Sequence, residues 1–70
     1  MSTFSDRLKK LRSSKKLSQL DLAKEIGVSQ RAVSYYELGE EDIPTLEVLI
    51  KIADFFDVTL DYLVGRRDKQ

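Results

Sequence analysis

Apolar residues return every three or four positions along most of this chain, and the breaks between those stretches fall at glycine, serine, threonine and proline. Phe4, Leu8 and Leu11 form the first stripe and predict a helix from about Thr3 to Lys16. Its Arg7, Lys9, Lys10, Lys15 and Lys16 are left largely to solvent, and cations near a helix C-terminus favour its dipole. Ser18 and Asp21 have the spacing of a capping box, and the helix they open carries Leu22, Ala23 and Ile26 inward. Gly27 is a natural left-handed stop. Val28 alone separates that stop from Ser29, the cap of a third helix. Two helices joined so tightly cannot lie antiparallel and must cross steeply, and Ala23 and Ala32 are small enough for a close approach.

The third helix puts Ala32, Val33 and Tyr36 on one side, with Gln30, Arg31, Ser34 and Tyr35 on the other. It ends near Leu38 and Gly39, and an acidic loop follows, Glu40-Glu41-Asp42-Ile43-Pro44. Thr45 caps a fourth helix with a wide apolar face of Leu46, Leu49, Ile50, Ile52, Ala53 and Phe56. Asp57 stands where a terminating glycine or asparagine is usual. Thr59 caps a fifth helix, Val58 and Leu63 are placed to close a hydrophobic staple, and Gly65 ends it. Residues 66–70 are expected to form a frayed basic tail. Strand patterns are absent, so the expected fold is all-α with five short helices.

Composition narrows what such a fold could do. Seventy residues allow one domain with one small core. With no cysteine and no histidine, the chain lacks the usual metal ligands, disulfides and a general base near neutral pH. It has no glycine-rich phosphate loop and no carboxylate pair in an evident pocket, so we expect neither an enzyme nor a bound metal or cofactor. No small-molecule ligand is evident. The apolar runs are too short to span a membrane, and the first residues do not resemble a signal peptide. The expected location is the cytoplasm. The formal net charge of zero conceals a division: residues 1–36 hold eight Lys/Arg against three Asp/Glu, and residues 37–70 hold four against nine. A basic half on a neutral chain suits a polyanion partner on one face, or simply a solvated helix surface.

The stretch LSQLDLAKEIGVSQRAVSYYELG, Leu17 to Gly39, resembles the helix-turn-helix of phage-repressor and Cro-like regulators, the XRE family. RLKKLR at Arg7–Arg12 and IPTLEVLIKIADFFDVTLDYLVG at Ile43–Gly65 extend the likeness. The resemblance implies a five-helix, lambda-repressor-like domain over residues 7–65, with the helix-turn-helix at about 19–38. It also implies a sequence-specific double-stranded DNA-binding transcriptional regulator, a repressor, reading the major groove with the helix from Ser29 to Leu38. By the same resemblance, Gln19 matches a glutamine that contacts a DNA phosphate, and Gln30, Arg31, Ser34 and Tyr35 match positions that meet base edges or nearby backbone. Arg12 and Glu37 match a pair that bridges helix one and the end of helix three. The acidic Glu40, Glu41 and Asp42 depart from the family, which often carries lysine or arginine there, so this loop should lack a side-chain phosphate clamp. Leu38 is more apolar than usual for its outer position, and nothing in the pattern explains it.

The residue types suit those roles. Glutamine can pair with adenine N6 and N7, and arginine's fork with guanine O6 and N7. Tyr35 could set its ring against a thymine methyl or its hydroxyl on a phosphate. Ser29, at a helix N-terminus, is poised for a phosphate. Structural alternatives stand beside these. Gln19 can be a simple helix-start residue, the lysines of helix one can be merely solubilising, and the Arg12–Glu37 pair can be a weak surface contact. One recognition helix covers few base pairs, so a homodimer on a pseudo-palindromic operator is expected. Phe55, Leu60, Tyr62 and Val64 could supply the pairing surface or belong to the core. A protein-interaction adaptor, using the acidic half without DNA, is the alternative function.

Overall fold

Ser18, Ser29, Thr45 and Thr59 each cap a helix in the computed structural model, which describes residues 3–39 and 44–65. Every regular element among those residues is an α-helix: α1 (Phe4–Ser14), α2 (Gln19–Ile26), α3 (Gln30–Leu38), α4 (Leu46–Phe56) and α5 (Leu60–Leu63). Most of the acidic loop, residues 40–43, and the basic tail, residues 66–70, lie outside the described residues. The capping box expected at Ser18 forms in both directions, Asp21 N donating to Ser18 Oγ at 3.0 Å and Ser18 N to Asp21 Oδ2 at 3.1 Å. The bond from Ser18 N foremost, with the Ser18 side chain adding to it, holds the Asp21 carboxyl below its ordinary pKa, because hydrogen bonds to the carboxylate favour the ionised form. A second box at Thr3 and Asp6 opens α1; its T-x-x-D spacing is visible in the sequence but was not anticipated.

At its other end α1 stops at Ser14, short of the expected Lys16, because Lys16 takes a left-handed φ of 57°. Arg7 departs further from expectation. It is buried at 5% exposure: Nη1 donates to the Tyr62 carbonyl at 2.7 Å, and the guanidinium lies 4.3 Å from the Tyr62 ring centroid. Helical period places Arg7 beside the apolar stripe. It could not reveal that α5, 55 residues later, would cover the side chain.

The core takes fully sealed side chains from every helix: Leu8, Leu22, Ile26, Val33, Ile52 and Leu63. Each such side chain contributes roughly 1.5–3 kcal/mol by leaving water. That decides how α5 is held. A four-residue helix has no stability of its own, so burial of Tyr62 and Leu63 keeps it in place. Val58 is half-buried against the core to which Leu63 belongs. No helix among the described residues is long and apolar enough to cross a membrane.

Two helix ends are closed by the same Schellman arrangement with different residues. In α2, Gly27 has φ 73° and Val28 N donates to Ala23 O at 3.0 Å. In α4, Asp57 takes φ 55° and Val58 N donates to Ala53 O at 3.0 Å. An L residue with a Cβ is strained in that region, whereas glycine is not. We therefore expect Asp57→Gly to stabilise the fold by up to about 1 kcal/mol, read as a raised melting temperature, with greater unfolded-chain freedom offsetting part of the gain. A variant less stable than the parent would show that the Asp57 side chain supports the turn.

Candidate nucleic-acid interface

The tight turn at Gly27 sets α3 against α2, its closest packing partner, and Ala23 on α2 is buried and Ala32 on α3 half-buried. α3 is also tied to α1 by a polar network. Arg12 Nε donates to Glu37 Oε2 at 2.5 Å and Arg12 Nη2 to Glu37 Oε1 at 2.9 Å, a bidentate pair. Arg12 Nη1 donates to the Leu17 carbonyl at 2.8 Å, and Gln19 Nε2 adds a third donor to Glu37 at 3.2 Å. The Glu37 side chain is only 4% exposed and that of Arg12 18%. No buried side-chain nitrogen or oxygen among the described residues lacks a partner. The hydrogen bond to Glu37 raises the pKa of Arg12 against the opposing effect of burial, so the guanidinium stays charged.

Gln19 is thus half-buried and turned towards Glu37 across 18 residues of sequence. One amide N–H is engaged there. The second N–H is left as a donor at the start of α2. No local signal in the sequence points to this bond.

The outward side of α3 carries the remaining candidates. Gln30 and Arg31 are exposed, while Ser34 and Tyr35 are half-buried. Val33 is sealed beneath, and Tyr36 packs on the core with its ring edge-on to Phe4 at 6.4 Å. Ser29 Oγ accepts from Ala32 N at 3.0 Å and the Ser29 carbonyl from Val33 N at 3.3 Å. The two earlier N–H groups of the helix have no intrahelical partner, and the Ser29 hydroxyl proton is still free to donate. Together they form a small anion-receptive corner beside Gln30 and Arg31.

Within this face, Arg31 Nε and Nη2 both donate to the Tyr35 hydroxyl, at 3.2 and 3.1 Å, and the guanidinium lies 5.6 Å from the ring centroid. The i, i+4 spacing of Arg31 and Tyr35 is the signal that could have joined them.

The expected pairing surface is less uniform than its sequence suggested. Tyr62 is 5% exposed and holds Arg7, so it faces the core; Phe55 and Leu60 are half-buried against the core, and Val64 is exposed. Among the described residues, the large apolar side chains most open to solvent are Leu38 and Leu46. Among the described residues no three acidic side chains gather where a metal ion could sit.

Comparison with known proteins agrees with this geometry. A helix-turn-helix family model matches residues 8–63. An uncharacterized HTH-type transcriptional regulator of Bacillus subtilis, YqaE, is 44% identical over 61 residues, covering 87% of this chain and 52% of that protein. The cryptic phage CTXphi transcriptional repressor RstR of Vibrio cholerae is 41% identical over 61 residues, covering 87% of this chain and 54% of the repressor. The chain therefore spans about half the length of these relatives. The crystal structure of the P22 c2 repressor in complex with a synthetic operator superimposes with a TM-score of 0.87 at 28% identity, covering 96% of this chain and all of that one. Matched by the family model over most of its length, the chain belongs to the helix-turn-helix family of phage-repressor and Cro-like regulators, the XRE family.

Proposed function

We propose that this chain is a sequence-specific double-stranded DNA-binding transcriptional regulator, acting as a repressor in the cytoplasm, which reads the major groove with α3. The observation that carries the reading is the open side of α3: Gln30 and Arg31 stand in solvent on a helix whose opposite side, through Val33, is sealed into the core. A major groove admits one such helix, and the two side chains supply the donors and acceptors that purine edges match. Ser29 and Gln19 flank them as phosphate contacts, Ser34 and Tyr35 complete the surface, and the Arg12–Glu37 pair keeps α3 in register with α1. Likeness to a repressor solved in complex with a synthetic operator supports a DNA duplex as the partner.

A single α3 reads too few base pairs for useful selectivity, so the functional unit in this proposal is a homodimer on a pseudo-palindromic operator, with half-sites about 34 Å apart. Selection of bound duplexes from a random pool tests the whole reading. The expected product is a two-fold-related pair of short motifs one helical turn apart, with an affinity that falls steeply as salt rises. A pool that shows no enrichment, from protein that also fails to hold random duplex at low salt, would overturn it. The protein-interaction adaptor would then be favoured by the open Leu38 and Leu46 side chains and the acidic second half.

A further inference from the structure

We propose that Tyr35 is a positioning residue for Arg31: its hydroxyl holds the guanidinium from the side and thereby sets a preference for guanine at the base Arg31 meets. This rests on the DNA-reading role of α3 proposed above and adds the device by which one of its side chains becomes selective. The geometry is specific. Arg31 Nε and Nη2, which share the side edge of the guanidinium, both donate to Tyr35 Oη at 3.2 and 3.1 Å. Of the five N–H groups, those two are engaged and three remain. One on Nη1 and one on Nη2 lie parallel along the end of the fork, the edge whose spacing matches guanine O6 and N7.

The direction of control follows from burial. Tyr35 is half-buried and turns on only two side-chain torsions, while Arg31 is exposed and longer. The hydroxyl is the fixed point and the long side chain follows it. An arginine held this way has already lost rotamer freedom that a free one would lose on binding, and it offers one edge instead of several. Because Tyr35 Oη receives two N–H groups on its lone pairs, its own proton points away from Arg31 and remains a donor for a neighbouring acceptor. Tyr35 therefore works through its hydroxyl, more than through a ring laid on a thymine methyl. As an exposed i, i+4 contact the pair contributes little to folding, so removing it does not disturb the domain.

The test compares the parent with Tyr35→Phe, Arg31→Ala, Arg31→Lys and the double Tyr35→Phe/Arg31→Ala variant. Each is titrated against random duplex and against four duplexes that differ only at the base pair whose preference Arg31→Ala abolishes. Tyr35→Phe is expected to melt like the parent and to lose guanine preference by about threefold to tenfold, over and above any change in its hold on random duplex, part of what a bidentate arginine supplies. In the Arg31→Ala background the same hydroxyl deletion should change base preference no further. Arg31→Lys, which keeps the charge without the fork, should show relaxed preference with Tyr35 intact. If Tyr35→Phe weakens all four duplexes equally, retains the parental preference, or acts undiminished without Arg31, the positioning role is overturned while DNA reading stands. A parent that binds no duplex overturns both.

Discussion

Arg12→Ala is expected to lower the unfolding free energy by about 2–3 kcal/mol, just below the range for breaking a fully buried ion pair because Arg12 itself is partly exposed. The carboxylate left behind is the reason. Glu37 is 4% exposed and would keep only the Gln19 amide as a donor. The Leu17 carbonyl would also lose its guanidinium. In a domain this small the loss corresponds to roughly 10–20 °C in melting temperature. Glu37→Ala should cost less, about 1–2 kcal/mol, because the more exposed Arg12 can turn to water. The asymmetry separates a buried pair from a surface contact, and raising the salt concentration should change it little. Thermal or urea unfolding measures both variants. Equal losses below about 0.5 kcal/mol would mean that the bridge is energetically neutral and that α3 is oriented by Val33 and Ala32 packing alone.

The second large effect concerns recognition. Arg31→Ala should remove discrimination at one base position of the selected operator by about tenfold to a hundredfold, the span expected for one lost bidentate arginine–guanine pair. Affinity for random duplex should fall much less. Lys10, exposed on α1, provides the contrast. Any loss from Lys10→Ala should fall alike on every sequence and reduce the slope of log affinity against log salt by about one. Competition titrations with operator variants at several salt concentrations measure both effects. If the two variants behave alike, Arg31 acts only as a positive charge, and direct base reading by that residue would have to be withdrawn.

Local chemistry made much of the architecture legible. Each of the Ser and Thr caps and the glycine stop at Gly27 depends on residues within a few positions of one another, a range the sequence displays directly. The tightness of the Gly27-Val28 turn likewise announced that α2 and α3 would pack as a unit. Helical period separated Val33, sealed in the core, from Gln30 and Arg31, which are open. Where expectation failed, a long polar side chain found a distant partner. Arg7 was assigned to solvent and is instead folded under Tyr62. Tyr62, considered for a pairing surface, is the residue that covers it.

The sequence by itself thus determined the five helices, their caps and which side of α3 can face a ligand, because backbone period and near-neighbour hydrogen bonds are local quantities. Tertiary structure alone decided that Gln19 leans on Glu37, that Arg7 is buried and that the Arg12–Glu37 pair is enclosed. Those outcomes depend on which surfaces meet across 18, 55 and 25 residues of chain and on where flexible side chains come to rest once water is excluded. No period in the sequence encodes that.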